Sequence, residues 1–400
     1  MPFEETHVVE ARRRFVQESY RSHQSFAAVC RKHGISRKAG YYWRDRYEAE
    51  GDAGLEDRSR RPKKCPWATA PEVVEAILEV KGRHPHFGAK KIRWYLEQHR
   101  SELRLPSVTT IHNHLDRAGL VEKRRRRVRR WHPGRPTSEA DEPNAIWTVD
   151  YKGEFRTGDG VLCYPLTTKD LCTRYLIGCK GLTSTRTMLA KPVFTRLFRE
   201  FGLPERIRSD NGVPFASNAL GRLSTLSVWF VRLGILPELI EPASPHQNGS
   251  HENMHGQLKK QTARTPRASL RAQQRAFDAF REEYNQIRPH EALAGLTPAS
   301  LYEPSPRPYP KKLAPIRYPA HFEIRRVSRN GGVRWHGSWV NVSHLLAEQP
   351  VGFEEIDHGL FDVYFGPVWL GHFNEAKLRI LDSRGRDKRR KGGNHKRPQL

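Results

Sequence analysis

The stretch Glu205-Arg206-Ile207-Arg208-Ser209-Asp210-Asn211-Gly212 runs a short strand pattern directly into an acidic residue and a turn-forming Asn-Gly pair. An aspartate is thereby placed at the end of a strand. Upstream, residues 145–151 form a second apolar-alternating run that delivers Asp150, and downstream residues 244–253 open a polar helix carrying Glu252. Two or three carboxylates brought to one point repel each other and do not stay ionised together without cations. If these elements pack together, the acids therefore read as a divalent-metal site. Hard oxygen donors and an open, hydrated position suit Mg²⁺ or Mn²⁺, and two ions about 3.5–4 Å apart serve in-line phosphoryl displacement.

The composition bounds the class of protein around that site. Four hundred residues, 37% of them hydrophobic and 10% aromatic, can bury a large core and suit about two to four domains. Lys and Arg number 70 against 44 Asp and Glu, a formal net charge of +26, which implies a folded protein with a strong positive field and a polyanionic partner. Nucleic acid outranks an anionic membrane, since the sequence has no apolar run of membrane-spanning length and no secretory N-terminal signal. The product is therefore expected to stay in the cytoplasm. Cys30, Cys65, Cys163, Cys172 and Cys179 are odd in number and scattered, without a Cys-x-x-Cys pair, which argues against a disulfide scaffold. His84 and His86 are followed by no matching cysteine pair, so no structural zinc is expected.

Residues 6–20, 25–33 and 37–49 read as three helices, with Gly34 at the turn and Ser36 as N-cap of the third, the helix-turn-helix pattern. On its second helix, Arg37, Lys38, Tyr41, Tyr42 and Arg44 are candidate contacts to phosphates or base edges; the alternative is a small helical domain with Tyr41, Trp43 and Tyr47 in its core. After a polar, basic linker, a second trihelical unit starts at Pro71 with an apolar stripe of Val73, Val74, Ile77, Leu78 and Val80. Its last helix, capped by Ser107, carries Thr109, Thr110, His112, Asn113 and Arg117 as candidate DNA contacts. The run Lys123-Arg124-Arg125-Arg126-Arg127-Val128-Arg129-Arg130 is the densest charge cluster, and between a DNA-reading unit and a phosphoryl-transfer core it reads as a backbone or minor-groove contact.

In the core, residues 145–152, 161–168 and 174–179 suggest an antiparallel meander, followed by a helix over 183–201 that Pro192 breaks or bends, with Met188 facing inward. A strand at 206–209, a helix within 219–233 and a strand at 238–241 complete a mixed sheet. Glu252 opens a helix on which His255 and Lys259 share its face. Beyond a proline-rich linker, short strands at close intervals suggest a small β-barrel with Trp335, Trp339, Phe365 and Trp369 in its core. The expected organisation is a helix-turn-helix domain (1–50), a basic linker (51–70), a second helical DNA-binding domain (71–120), an Arg-rich linker (121–142), an α/β catalytic core (143–303), a Pro-rich linker (304–319), the β-barrel (320–382) and a basic disordered tail (383–400).

Four motifs in order carry a resemblance. Trp147-Thr148-Val149-Asp150, Ser209-Asp210-Asn211-Gly212, Pro245-His246-Gln247-Asn248-Gly249 with Glu252-Asn253, and Tyr284-Asn285 with Arg288-Pro289-His290-Glu291-Ala292-Leu293 resemble the integrase-core signature of bacterial insertion-sequence transposases, a branch of the retroviral-integrase superfamily. The likeness covers residues 143–302 closely and the helix-turn-helix region loosely. It implies a ribonuclease-H-like core in which Asp150, Asp210 and Glu252 form a triad holding two metal ions, Lys259 meets DNA near the scissile phosphate, and the C-terminal barrel is SH3-like. Forty-one residues separate Asp210 from Glu252, more than the resemblance implies, which suggests an insertion within 217–227 and leaves Glu238 and Glu241 as alternative third acids.

The resulting expectation is a DNA transposase that binds the ends of its own element and catalyses metal-dependent cleavage and strand transfer, as a dimer or tetramer on double-stranded DNA. The alternatives are a ribonuclease-H-like nuclease or junction resolvase, a catalytically inactive transposase-derived regulator, and a nonspecific DNA coat.

Overall fold

The computed structural model describes residues 8–58, 68–121, 138–240 and 249–381. Arg124, Arg125, Arg126 and Arg127, the Pro245 to Asn248 motif, Glu241, Cys65 and the C-terminal tail lie outside them. The chain divides into two units, Met1–Thr69 and Ala70–Leu400.

In the first unit, helices α1 (Val8–Arg21), α2 (Phe26–Lys32) and α3 (Arg37–Glu50) enclose Phe15, Val16, Val29, Cys30 and Leu55. Ser36 caps α3 by accepting the Ala39 N–H at 3.2 Å. The helices cross closely at Gly40, where a Cβ would meet Cys30 Sγ at 2.8 Å.

The second unit begins with α4 (Pro71–Arg83), α5 (Ala89–His99) and α6 (Val108–Arg117), whose core of Val73, Ile77, Phe87, Ile92, Leu96 and Ile111 also takes in Ile287. That contact seats the helices on the Arg288 segment of the following domain: Lys90 Nζ bonds Glu291 at 2.7 Å, Gln98 donates to the Gly295 carbonyl at 3.1 Å, and Arg288 stacks over Phe87.

Six strands make the central sheet: β1 (Ile146–Tyr151), β2 (Phe155–Arg156), β3 (Leu162–Asp170), β4 (Leu176–Leu182), β5 (Arg206–Ser209) and β6 (Leu236–Leu239). β1 lies between antiparallel β3 and parallel β5, and β6 extends the parallel side. Strand alternation then sorts the faces. Trp147, Val149, Leu166 and Ile207 pack on α7 (Thr187–Phe201) and α8 (Thr225–Arg232). Cys163, Leu176 and Cys179 lie in a separate core with α9 (Gly249–Leu258) and α10 (Leu270–Glu282). α7 continues through Pro192, inside the helix, so the proline does not break it, and Met188, expected to face inward, is 74% exposed.

The expected C-terminal barrel does not form. β7 (Glu323–Arg326), β10 (Pro350–Asp357), β11 (Leu360–Phe365), β12 (Val368–Asn374) and β13 (Arg379–Leu381) make an open antiparallel sheet with β13 and β7 at its edges, and β8 (Gly332–Trp335) pairs only with β9 (Ser338–Asn341). The hairpin covers the sheet instead of closing it. Trp335 is buried against Phe353, Phe361 and Phe373, so the apolar face is satisfied by a second layer. Phe365 joins that core, whereas Trp339 is 41% exposed and Trp369 is only partly buried.

The segment 217–227 and α8 pack on the C-terminal sheet. Leu220, Leu223, Val228 and Val231 share one core with the C-terminal sheet, and Gly221, at φ +61°, leaves room for Leu370, which a Cβ would meet at 2.9 Å. Gly221→Ala is expected to cost about 2–3 kcal/mol, from the left-handed backbone and the overpacking together. Gly337→Ala, at φ +82° with open space around it, is expected to cost only the backbone part, about 1–2 kcal/mol. Denaturant midpoints of the two full-length variants check this, and equal losses would show that the seat on β12 is not tight.

Candidate active site

The site follows from register. Val149 of β1 is paired with Ser209 of the parallel β5, so the next residue of each, Asp150 and Asp210, emerges side by side at the carboxyl ends of both strands. Carboxyl ends of parallel strands are where open α/β sheets present ligand sites. A hydrogen bond from the Gly212 N–H to Asp210 Oδ1 at 3.1 Å folds the turn back, and a Cβ at Gly212 would meet Asp210 Oδ2 at 3.0 Å. A side chain there would crowd the carboxylate. Asn211 donates to the Ile240 carbonyl at 2.9 Å, which leaves its buried Oδ1 without a partner among the described residues.

Glu252 stands exposed in the first turn of α9, where the helix dipole favours an acid. Burial, then the neighbouring Asp210 carboxylate and, less strongly, Glu252 push the Asp150 carboxyl up to about 7, against a lowering hydrogen bond from the Tyr151 backbone. The three acids thus share one electrostatic field. Among the described residues, however, no group of three or more His, Cys, Asp or Glu is close enough to hold a metal ion together. Of the alternative third acids, Glu238 is committed elsewhere: it pairs with Arg208 Nε at 2.5 Å, and the Arg208 side chain is 1% exposed.

Around Asp150 lies a polar network that sequence reasoning missed. Thr148 and Asp150 on β1 face α9 together with Thr167 and Lys169 on β3, since Asp150 is paired with Thr167 and Thr148 with Lys169. Thr148 Oγ1 lies 2.8 Å from His251 Nδ1, and Thr167 Oγ1 lies 2.6 Å from His251 Nε2 and 2.7 Å from His255 Nε2. His255 Nδ1 is 3.6 Å from Asp150 Oδ2, and Lys169 Nζ donates to Ser250 Oγ at 2.9 Å. Burial holds His255 down at about 3 and His251 well below the usual imidazole range, so both rings are neutral. The available signal was the pair of histidines four residues apart that flank Glu252. His255 was expected on the face of Glu252 and Lys259; it is 6% exposed and turns inward, while the helix changes to a π-turn over Lys259–Ala263. Lys259 itself is exposed at the start of that turn.

The candidate DNA-contact residues divide by exposure. Arg37, Lys38, Tyr41 and Tyr42 are exposed on α3, but Arg44 is half-buried and covers the rings of Tyr20, Phe26 and Tyr41. On α6, Thr109, His112 and Asn113 are exposed, whereas the Thr110 hydroxyl is engaged with the Ser107 cap at 3.0 Å. Trp43 and Tyr47 pack against the first unit's core. In the fourth motif, Asn285 bonds both the N–H and the carbonyl of Leu176, at 2.8 and 3.0 Å, so it anchors the start of β4.

Integrase core domain models match residues 140–245 and 233–298, a helix-turn-helix domain model matches 11–63, and a homeodomain-like domain model matches 39–115. Similar proteins include the insertion element IS407 31.7 kDa protein of Burkholderia multivorans, 26% identical over 58% of this chain and 80% of that protein. The insertion element IS476 39.2 kDa protein of Xanthomonas euvesicatoria is 27% identical over 62% of this chain and 70% of its own length. Among solved structures, the HTLV-2 integrase catalytic core domain in complex with magnesium is 16% identical and covers 40% of this chain and 97% of that one, at a TM-score of 0.32, too low to carry an argument. No helix among the described residues is long and apolar enough to cross a membrane. Integrase-core and helix-turn-helix matches lie along one chain and insertion-element proteins are among its relatives, so this chain is similar to the insertion-sequence transposases of the retroviral-integrase superfamily.

Proposed function

We propose that this chain is an active DNA transposase, which binds the ends of its mobile element and carries out metal-dependent strand cleavage and strand transfer through Asp150, Asp210 and Glu252. The observation that carries the reading is the parallel register that sets Asp150 beside Asp210 and leaves Asp150 a half-buried, destabilised anion. The donor set fits a divalent cation such as Mg²⁺ or Mn²⁺: hard carboxylate oxygens at strand ends, in a field that a positive charge relieves. Asp150 and Asp210 would hold one ion and Glu252 with an aspartate a second. Such ions, when bound, supply Lewis-acid stabilisation of the oxygens around phosphorus. The bond changes are an exchange at phosphorus. The oxygen of water bonds to phosphorus as the bond to the 3′ oxygen breaks, and the freed 3′-hydroxyl repeats the displacement on target DNA.

Exposed Arg37, Lys38, Tyr41 and Tyr42, and on the second helical unit Thr109, His112 and Asn113, are the proposed DNA-reading side chains, with Thr110 and Arg44 in supporting roles. Lys259 and residues 124–127 add phosphate contacts, which makes binding steeply salt-dependent. Two element ends processed together call for a dimer or tetramer on DNA.

The test is cleavage and joining of DNA that carries the sequences flanking this gene, with Mg²⁺ or Mn²⁺, comparing wild type with Asp210→Asn. Joined products lost in the variant, with end binding retained, are expected. Tight end binding by wild type without cleavage under either metal would overturn the reading in favour of an inactive DNA-binding regulator.

A further inference from the structure

The hydroxyl of Thr167 has three partners and one proton. The Asp150 carbonyl, 2.9 Å away, can only accept, so the proton points there and both imidazole Nε2 atoms, at 2.6 and 2.7 Å, must donate. Both rings are then Nε2–H tautomers. His251 Nδ1 is left bare and accepts the Thr148 hydroxyl at 2.8 Å, in preference to the longer Thr148 contact with the Lys169 carbonyl at 3.2 Å. His255 Nδ1 is also bare and faces Asp150 Oδ2 at 3.6 Å, so it offers that carboxylate no hydrogen and does not draw it into the core.

We propose that His251, His255 and Thr167 form a positioning clamp, which fixes the first turn of α9, and with it Glu252, against the strand end that carries Asp150. Thr167 is the pivot: it holds the Asp150 backbone on one side and both histidines that flank Glu252 on the other. All three side chains are at least nine-tenths buried, so water does not compete for these bonds. The run His251-Glu252-Asn253-Met254-His255 matches a spacing that presents two imidazoles to zinc on a helix. Here the two Nε2 atoms are spent as donors to one hydroxyl, so their lone pairs do not converge on a metal. The clamp rests on the reading of Asp150 and Glu252 as cation-holding residues, and sets their separation without touching the reacting atoms.

Two measurements on the full chain decide it. Long-range ¹⁵N–¹H correlation on histidine-labelled protein is expected to report Nε2–H tautomers for His251 and His255 at neutral pH; an Nδ1–H tautomer at either would overturn the clamp whatever the protein's activity. Mn²⁺ titration by electron paramagnetic resonance, with cleavage kinetics, is then compared for wild type, Thr167→Val and Thr167→Ser. Thr167→Val is expected to weaken Mn²⁺ binding and lower kcat by about ten- to a hundred-fold, and Thr167→Ser to restore both. Wild-type behaviour of Thr167→Val would overturn it. Should Thr167→Val fail to fold, His255→Gln serves instead: it keeps an amide donor for Thr167, and is expected to retain Mn²⁺ affinity better than His255→Leu, equal losses counting against the clamp. A wild type that neither binds Mn²⁺ nor cleaves sinks the proposed function, while the tautomers still decide the clamp.

Discussion

Replacing Asp150 with asparagine is expected to slow strand cleavage at least about a thousand-fold, roughly 4 kcal/mol of transition-state stabilisation, and to make the metal-free protein more stable at pH 8. The second effect follows from the first physical fact about the site. Asp150 is half-buried beside Asp210, and its carboxyl is raised to about 7 from an ordinary value near 3.8. The folded state therefore holds this proton more tightly than the unfolded chain does. Stability falls as pH rises from about 4 to about 7, and the penalty is fully present above the folded value. A neutral asparagine escapes that penalty, so the variant is expected to gain on the order of 2–4 kcal/mol at pH 8 and nothing near pH 4. Thermal unfolding of both proteins in chelator across that range checks the sign. Added Mn²⁺ is expected to stabilise wild type and to leave Asp150→Asn nearly unchanged. A variant less stable than wild type at pH 8 would mean that Asp150 is an ordinary paired carboxylate.

How far the sequence could be read differs from one part of the site to the next, for physical reasons. Asp150 and Asp210 were visible because each ends an alternating apolar strand, a pattern local to a few residues. Their adjacency was not visible, since it depends on the Val149 to Ser209 register, a non-local pairing. The histidine network was hidden for a related reason. Helical spacing alone put His255 on the same face as Glu252, but the packing of α9 on β3 turns His255 inward to Thr167. Nothing local to Thr148, Thr167 and Lys169 marks the face they share; only the fold shows that α9 covers it. In the C-terminal region, the strands up to Asn374 were visible as short alternating runs, but β13 was missed, and closure depends on whether edge strands meet. The β8–β9 hairpin buries Trp335 over the sheet and makes closure unnecessary.

Glu252→Gln and Glu238→Gln are expected to fail in opposite ways, and the contrast identifies the third acid despite the long interval after Asp210. Glu252 is exposed on the first turn of α9, so its replacement removes at most about 1 kcal/mol of helix-dipole stabilisation and leaves folding and DNA-end binding intact. Its loss is expected to reduce cleavage and strand transfer at least about a thousand-fold. Glu238 instead neutralises Arg208, a guanidinium 1% exposed that also donates to the Ser138 carbonyl at 2.7 Å. Removing that charge leaves a buried cation without its counter-ion and is expected to cost about 3–5 kcal/mol. Because Arg208 lies two residues before Asp210 on β5, the damage reaches activity through the strand, and activity should recover at temperatures where the variant is folded. Parallel denaturation, end-binding and cleavage measurements on the two variants, with Glu241→Gln as a third arm, separate the roles. Should Glu252→Gln cleave at the wild-type rate while Glu241→Gln is folded and inactive, the third carboxylate comes from the segment before α9. The helix dipole would then be the whole explanation of Glu252.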